Sequence, residues 1–269
     1  MPEFSEGFRK APEENYKLAA QCGYEAVQGA EAELSRVTGL TVLGNGIIPT
    51  AYDAMQFAWE WKQRGAVAAT CIAGFGDESA AEGNTIVRSI LEASALCSLP
   101  IYLETHRGSI TQDSWRTIQL LEANPNLLLT GDFSHWFTGQ EMSYGDMDRR
   151  MEFLEPVFSR TALLHGRIGD RCCMQVDLTD GNHSSIPYFE HMWTRVMDYF
   201  LINNTRKDLW FCPELLGPEY AYARIFPETT GKLREESDRW TQAKILVRIA
   251  NRCFERALRN MPSSTCGTP

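Results

Sequence analysis

Ionisable side chains gather at the ends of four apolar segments in the second half of the sequence. They are Glu104 and His106, Asp132 and His135, His165 and Arg167, and Glu214. If the four segments are neighbouring parallel strands of a barrel, their carboxyl ends converge on one face and bring one residue from each segment to a single point. Those residues would be Glu104, Asp132, His165 and Glu214. Three carboxylates and one imidazole suit a hard divalent cation, with Mn²⁺ or Mg²⁺ preferred and Co²⁺ or Zn²⁺ also possible ions.

A cation at this point would solve an electrostatic problem and supply chemistry. Three buried like charges are costly without a counter-ion, and a divalent cation changes the sum over these ligands from −3 to −1. When bound, the cation would polarise the oxygens of a polyol and ease the removal of a neighbouring C–H proton. Glu104 and Glu214, on opposite sides of such a substrate, could serve as base and acid.

The order of apolar and helical segments predicts the fold that positions these residues. Seven apolar segments are rich in β-branched or aromatic residues, at 24–28, 40–48, 67–76, 100–106, 126–135, 161–168 and 208–216. Helical patterns occupy 12–22, 50–64, 79–98, 111–123, 146–159, 186–203 and 235–259. Strands that are apolar throughout are typical of a parallel sheet covered by helices. The order therefore predicts one α/β domain over residues 1–269, a (β/α)8-type TIM barrel with its core at about 20–260 and a frayed tail at 261–269.

The length of the chain limits how complete this barrel can be. The sequence has 269 residues, and barrels of this type need about 250. The seven strand candidates begin between 24 and 208, which is six steps of about 31 residues, yet only 23 residues precede the first of them. We therefore predict that the first barrel strand is short, degenerate or missing, with residues 3–9 as its candidate, and that the barrel is open at this N-terminal seam.

Composition and motifs exclude several classes of function. The 26 basic residues against 35 acidic ones give a net charge of −9, which argues against nucleic-acid binding. The eight cysteines include no Cys-x-x-Cys pair, which is typical of reduced thiols in a cytoplasmic protein. The first twenty residues lack the apolar region of a signal peptide, and no window is apolar enough to span a membrane. No G-x-G-x-x-G follows a strand and no Walker A motif is present, so no nucleotide cofactor is indicated.

The ordered motifs LETH, GDFSH, LLHGR and PELL resemble the xylose-isomerase-like TIM-barrel superfamily over about residues 20–260. That superfamily includes sugar isomerases, ketose 3-epimerases, hydroxypyruvate isomerase, inosose dehydratase and 3-dehydroshikimate dehydratase. The resemblance implies the same four metal ligands, with Glu104 and Glu214 as the proton-transfer pair. The ketose 3-epimerase pattern adds a histidine three residues after the aspartate, matched by His135, and an arginine six residues after the metal histidine, matched by Arg171.

Departures from the superfamily patterns narrow the expected activity. Xylose isomerase itself has a lysine where this sequence has His106, and the nuclease branch uses early histidines, whereas all five here lie beyond residue 105. The 3-dehydroshikimate dehydratase pattern has Glu-x-His on the first ligand strand and a basic residue two positions after the metal histidine, here Arg167. Because a guanidinium is a poor base, His106 would be the better candidate base for such a lyase.

These observations lead to one main hypothesis and two alternatives. The main one is a cytoplasmic, divalent-metal-dependent isomerase or epimerase of a sugar or sugar-like polyhydroxy carbonyl compound, acting through a metal-stabilised enediolate. The alternatives are a dehydratase acting on a cyclic keto-polyol with the same metal, and a barrel that binds a ligand without catalysis. The expected substrate-binding residues are His135, Arg167, Arg171 and Trp136, and Tyr220, Tyr222 and Arg224 are expected to form a lid or an interface. The resemblance is also compatible with a homodimer that binds neither nucleic acid nor membranes.

Overall fold

A computed structural model describes residues 11–29, 32–203 and 205–261. Its centre is a seven-stranded parallel sheet in which each strand pairs with the next one along the chain. The strands are β1 (Ala26–Gln28), β2 (Thr41–Ile48), β3 (Ala68–Ala73), β4 (Ile101–Glu104), β5 (Leu129–Gly131), β6 (Thr161–His165) and β7 (Trp210–Cys212). In the described part of the chain the sheet curls into a nearly closed barrel that has seven of the eight strands of a TIM barrel, which confirms the predicted fold class. The candidate first strand, residues 3–9, lies outside the described residues.

Helices surround this sheet. They are α1 (Pro12–Gln21), α2 (Ala32–Thr38), α3 (Ala54–Gln63), α4 (Ala80–Cys97), α5 (Ser114–Ala123), α6 (Phe133–Gly139), α7 (Met147–Phe153), α8 (Glu155–Arg160), α9 (Ile186–Asn203) and α10 (Arg239–Asn260). A short antiparallel hairpin of β8 (Ile225–Pro227) and β9 (Leu233–Glu235) follows β7. Within the described ranges, no helix has both the length and the apolar character that a bilayer span requires.

Helix α6 is the main departure from the predicted elements. It begins inside the segment 126–135, which was predicted to be one strand, because the chain leaves the sheet after Gly131. The Asp132 side chain accepts a hydrogen bond from the backbone N–H of Ser134 and so caps the new helix. This early turn places the Asp132 carboxylate at the carboxyl end of β5.

The inside of the barrel is packed with side chains. A small apolar cluster fills its middle, formed by Leu43, Ala68, Tyr102, Ala162 and Leu163. The hydroxyl groups of Thr70 and Thr130 meet across the interior at 2.7 Å. Because successive strand residues alternate between the two faces, the next inward positions on β4 and β6 are Glu104 and His165. The packed layer therefore forms the floor of a polar site at the carboxyl ends of the strands.

The barrel has an open seam between β1 and β7. Among the described residues these two strands share no ladder, and a cavity of about 680 Å³ lies between them, lined mainly by α1, β1, β7 and α10. Side chains bridge part of the gap: the Cys212 thiol donates to Oε1 of Gln28 at 3.3 Å, and the rings of Tyr24 and Trp240 lie 5.8 Å apart. For the described residues, the open N-terminal seam predicted from the spacing of the strands is thus confirmed.

Candidate metal centre

The four side chains predicted to bind a metal meet at one point. Glu104 ends β4, Asp132 follows β5, His165 ends β6 and Glu214 follows β7. One potential ligand atom from each lies within 4.8 Å of those of the other three. The first three residues are buried and Glu214 is half-buried. Four consecutive strands thus deliver their ligands to the carboxyl face of the barrel, where enzymes of this fold place their active sites.

The Arg167 guanidinium lies among these carboxylates and is 1% exposed. Its Nη2 donates to Oδ2 of Asp132 and lies 3.1 Å from Oε2 of Glu214 and 3.1 Å from Nε2 of His135. Its Nε donates to the hydroxyl of Ser134 at 3.1 Å. One permanent positive charge therefore offsets part of the carboxylate charge, and three carboxylates with one guanidinium sum to −2. A divalent cation would bring that sum to zero.

Burial and neighbouring charges perturb the pKa values of the cluster in different directions. Burial raises the pKa of Glu104 to about 7. Burial alone would also raise the pKa of Asp132, but the Arg167 guanidinium outweighs it and holds that pKa below its usual range. The carboxylates of Glu214 and Glu104 overcome the effect of burial on His165 and raise its pKa well above the ordinary value. Without a cation, the cluster therefore retains protons near neutral pH that a metal would replace.

The unpaired atoms of the cluster fit a metal ion. Among the described residues, Nδ1 of His165 is buried and makes no hydrogen bond of good geometry. It lies 3.2 Å from Oε2 of Glu214 and 3.7 Å from Oε1 of Glu104. The other ring nitrogen, Nε2, is 3.0 Å from Oε1 of Gln28. An imidazole nitrogen together with buried carboxylate oxygens is a set of donor atoms that could bind a divalent transition metal or magnesium.

We expect metal affinity to rise with pH, because the cation must displace protons from Glu104 and His165. The pKa of Glu104 is raised to about 7 and that of His165 is also raised, so both groups hold protons below neutral pH. From about pH 5 to about pH 7 the apparent Kd for Mn²⁺ should fall about tenfold per pH unit for each proton displaced. Titrations followed by the electron paramagnetic resonance signal of free Mn²⁺ would measure this slope. A Kd that does not change over this range would contradict the assignment of these two groups as ligands.

Two further histidines line the site. The His106 ring lies 4.0 Å from the ring of His135, and its Nδ1 accepts a hydrogen bond from the backbone N–H of Gly108 at 3.1 Å. Burial lowers the pKa values of both histidines, that of His135 to about 2, so both rings are neutral at pH 7. In neutral His106 the proton then sits on Nε2. This tautomer makes neutral His106 a hydrogen-bond donor at Nε2, which differs from the base role predicted for it in a lyase.

The structure does not bring Trp136 and Arg171 to the cluster. Trp136 is fully buried, and its indole N–H donates to the carbonyl of Thr111 at 2.9 Å. Trp136 lies on α6, so its side chain does not follow the alternating directions of strand residues. It packs in the core and has no exposed surface that a ligand could contact. Arg171 is exposed, and its guanidinium stacks on the ring of Tyr144 at 4.6 Å, beyond the turn that follows β6.

Sequence reasoning also missed contacts around the site. Tyr222, predicted only as part of a lid or an interface, lies between two guanidinium groups, 4.9 Å from that of Arg167 and 5.7 Å from that of Arg107. Its ring is 6.2 Å from the ring of His135. The position of Tyr222 in the sequence, shortly after the last strand that supplies a ligand, could have indicated that it lies near the site. Gln28 contacts His165 from β1. Its sequence context does not indicate this contact, because a single glutamine at a strand end is common.

Comparison with known proteins supports the fold. No protein-family model matches the sequence, and no curated protein sequence matches it. A xylose isomerase-like TIM barrel protein from Mycobacterium smegmatis, solved in complex with magnesium, is similar with a TM-score of 0.60 and 11% identity, over 93% of this chain and 91% of that one. A sugar phosphate isomerase/epimerase from Parabacteroides distasonis is similar with a TM-score of 0.55 and 13% identity, over 90% of this chain and 89% of that one. The probable 3-DHS dehydratase AsbF from Bacillus anthracis is similar with a TM-score of 0.54 and 15% identity, over 77% of this chain and 88% of that one.

At these identities the similarity establishes a shared fold. The resemblance to xylose-isomerase-like TIM barrels that the sequence motifs indicate is thereby confirmed at the level of architecture. Two of the similar structures carry the names of enzymes, a probable dehydratase and an isomerase/epimerase, and the third is a complex with magnesium.

Proposed function

We propose that this protein is a divalent-metal-dependent isomerase or epimerase of a sugar or a sugar-like polyhydroxy carbonyl compound. The observation that carries the proposal is the buried cluster of three carboxylates and one imidazole at the ends of four consecutive strands. Neutral histidines and a guanidinium beside it provide donors for substrate oxygens. Mn²⁺ or Mg²⁺ is the preferred cation, and the magnesium complex of the Mycobacterium smegmatis protein supports this choice.

Glu104 and Glu214 would have different roles in proton transfer. When bound, the cation supplies polarisation of the hydroxyl and carbonyl oxygens of the substrate. The Glu104 side chain is 3% exposed and the Glu214 side chain 18% exposed. Glu104 would hold a transferred proton away from water, whereas Glu214 faces the mouth of the barrel and can exchange its proton with solvent. An epimerase needs such a pair of acid–base groups, one for each face of the reacting carbon.

Arg167 and His135 would orient the pair and the substrate. Because a guanidinium stays charged at all relevant pH values, Arg167 acts by charge and hydrogen bonding and not as a base. Its Nη2 fixes the carboxylates of Asp132 and Glu214. Its Nη1 is buried without a hydrogen-bond partner among the described residues, which leaves one donor for a substrate oxygen.

A dehydratase acting on a cyclic keto-polyol is the second candidate, and the tautomer of His106 favours it. The hydrogen bond from the Gly108 N–H leaves the proton on Nε2 of His106. In an elimination, one glutamate would take the C–H proton and the other would give a proton to the leaving hydroxyl, which would also accept a hydrogen bond from Nε2–H of neutral His106, and water would depart as the carbon–carbon double bond forms. The similarity in fold to a probable dehydratase supports keeping this candidate.

One experiment separates these candidates. The purified protein is analysed for bound metal by mass spectrometry and is then freed of metal with a chelator. The metal-free protein is incubated in D₂O with ketoses, aldoses and inososes, with and without added Mn²⁺. We expect bound metal, and deuterium in the recovered substrate or its isomer only in the presence of Mn²⁺. Loss of water with a new ultraviolet chromophore would establish the dehydratase instead, and metal binding without any turnover would establish a ligand-binding barrel. A protein that neither contains nor binds a divalent cation would refute both enzymatic candidates.

A further inference from the structure

Gln28 contacts the candidate metal centre from the side of the barrel that supplies no ligand. It ends β1, and its Oε1 lies 3.0 Å from Nε2 of His165. The same oxygen accepts a hydrogen bond from Sγ of Cys212 at 3.3 Å. The amide oxygen of Gln28 therefore faces both the imidazole and the thiol, and its NH₂ group, which can only donate, is not directed at either of them.

This contact determines which nitrogen of His165 is free. An amide oxygen can only accept, so Nε2 of His165 must carry the hydrogen, and the lone pair of the neutral ring lies on Nδ1. Nδ1 is the atom that faces Oε2 of Glu214 at 3.2 Å and Oε1 of Glu104 at 3.7 Å. A ring that was rotated, or that carried its proton on Nδ1, would present no lone pair to a cation.

We infer that Gln28 is a positioning residue for the metal centre, which holds the His165 ring in the orientation and tautomer that bind the cation. The inference rests on the proposed metal-dependent function. Groups that accept a hydrogen bond from the distal nitrogen of a metal-binding histidine commonly strengthen metal affinity by about 10–100-fold. In this chain the acceptor is an uncharged amide, which orients the ring without adding to the negative charge of the cluster.

A different role for Gln28 makes a different prediction. Its contact with Cys212 bridges β1 and β7, so it could serve only to hold the open seam together. Loss of a seam contact would lower the melting temperature and leave metal affinity unchanged once the protein is folded. Loss of a positioning contact would weaken metal binding beyond any effect on folding. Measuring both quantities on the same variants therefore distinguishes the two roles.

The test uses two substitutions at Gln28 and one matched control. Gln28→Met keeps the length of the side chain and removes the acceptor, whereas Gln28→Glu keeps an acceptor at the same place. The control is Gln242→Met on α10, at a buried glutamine whose Oε1 accepts a hydrogen bond from the backbone N–H of Leu178 at 2.9 Å. Mn²⁺ affinity is measured from the signal of free Mn²⁺, Co²⁺ coordination from the visible absorption spectrum, and the melting temperature from circular dichroism of the metal-free protein.

We expect Gln28→Met to weaken Mn²⁺ binding by about 10–100-fold and to change the Co²⁺ spectrum, and Gln28→Glu to stay within about threefold of the wild-type affinity or to exceed it. Gln242→Met should lower the melting temperature but leave the affinity and the spectrum unchanged. Wild-type affinity in Gln28→Met, or an equal loss in Gln28→Glu, would overturn the inference and leave the proposed function standing. If Gln28→Met does not fold, the affinity of Gln28→Glu decides the question, with wild-type affinity supporting the inference and a loss overturning it. Failure of the wild-type protein to bind any divalent cation would instead overturn the proposed function itself.

Discussion

Replacing Glu104 with glutamine is expected to slow substrate deuterium exchange by about 10²–10⁴-fold, the range attributed to a positioned acid–base group. An amide cannot take up the proton, and it is also a weaker ligand than a carboxylate. The side chain is almost completely buried, so the substitution removes a buried charge without changing the volume. The melting temperature of the metal-free protein should therefore stay the same or rise. Mass spectrometry of the recovered substrate and circular dichroism give the two readouts.

Glu92→Gln is a suitable control for this variant. Glu92 is exposed on α4, away from the cluster, and its substitution should leave both readouts unchanged. Exchange that survives Glu104→Gln at the wild-type rate would remove Glu104 from the proton-transfer step. A large fall in melting temperature would instead show that the carboxylate stabilises the fold.

Replacing Arg167 with methionine is expected to destabilise the metal-free protein by about 3–5 kcal/mol, the usual cost of removing one partner from a buried ion pair. The Arg167 guanidinium is 1% exposed and contacts the carboxylates of both Asp132 and Glu214. Without it, three carboxylates share one site with no permanent positive charge. Saturating Mn²⁺ should restore part of the loss, because the cation supplies the missing charge. Urea denaturation with and without Mn²⁺ measures both effects.

Arg171→Met serves as the control for this experiment. Arg171 is exposed and stacks on Tyr144, so its loss should change the free energy of unfolding by less than about 0.5 kcal/mol. Equal stability of Arg167→Met and the wild-type protein in the absence of metal would mean that the guanidinium does not compensate the cluster. The free energy of unfolding of Arg167→Lys is expected to lie between those of the wild-type protein and Arg167→Met. An ammonium keeps the positive charge but lacks the planar guanidinium geometry that contacts two carboxylates.

The ligand cluster could be predicted from the sequence because each ligand lies at or just after the end of a strand within an apolar segment. Carboxylates and an imidazole after Leu103, Leu129 and Leu164 stand out against their buried surroundings, and parallel topology then brings them together. The pattern requires no knowledge of side-chain rotamers. For the same reason the fold class and the open seam could be predicted from the order and spacing of the segments alone.

The contacts that depend on how the barrel curves could not be predicted. Gln28 and His165 are 137 residues apart in the chain and meet only because β1 approaches β6 and β7 across the nearly closed barrel. Trp136 was expected at a substrate pocket because it directly follows the DFSH motif at the end of the segment 126–135, which was predicted to be a strand. The Asp132 side chain instead starts a helix, and this rotates the following residues by helical steps. A local hydrogen bond thus decided the direction of a side chain that apolar patterning alone left open.

The balance of charge at the centre has a consequence for how substrates reach it. Three carboxylates, one guanidinium and one divalent cation would cancel, whereas the whole chain carries a net charge of −9. Such a mouth exerts little long-range attraction, so the association rate of an uncharged sugar should depend little on ionic strength. A phosphorylated sugar, by contrast, would experience the long-range repulsion of the net negative charge of the chain. The protein would therefore discriminate against anionic substrates during diffusional encounter, before any side chain contacts them.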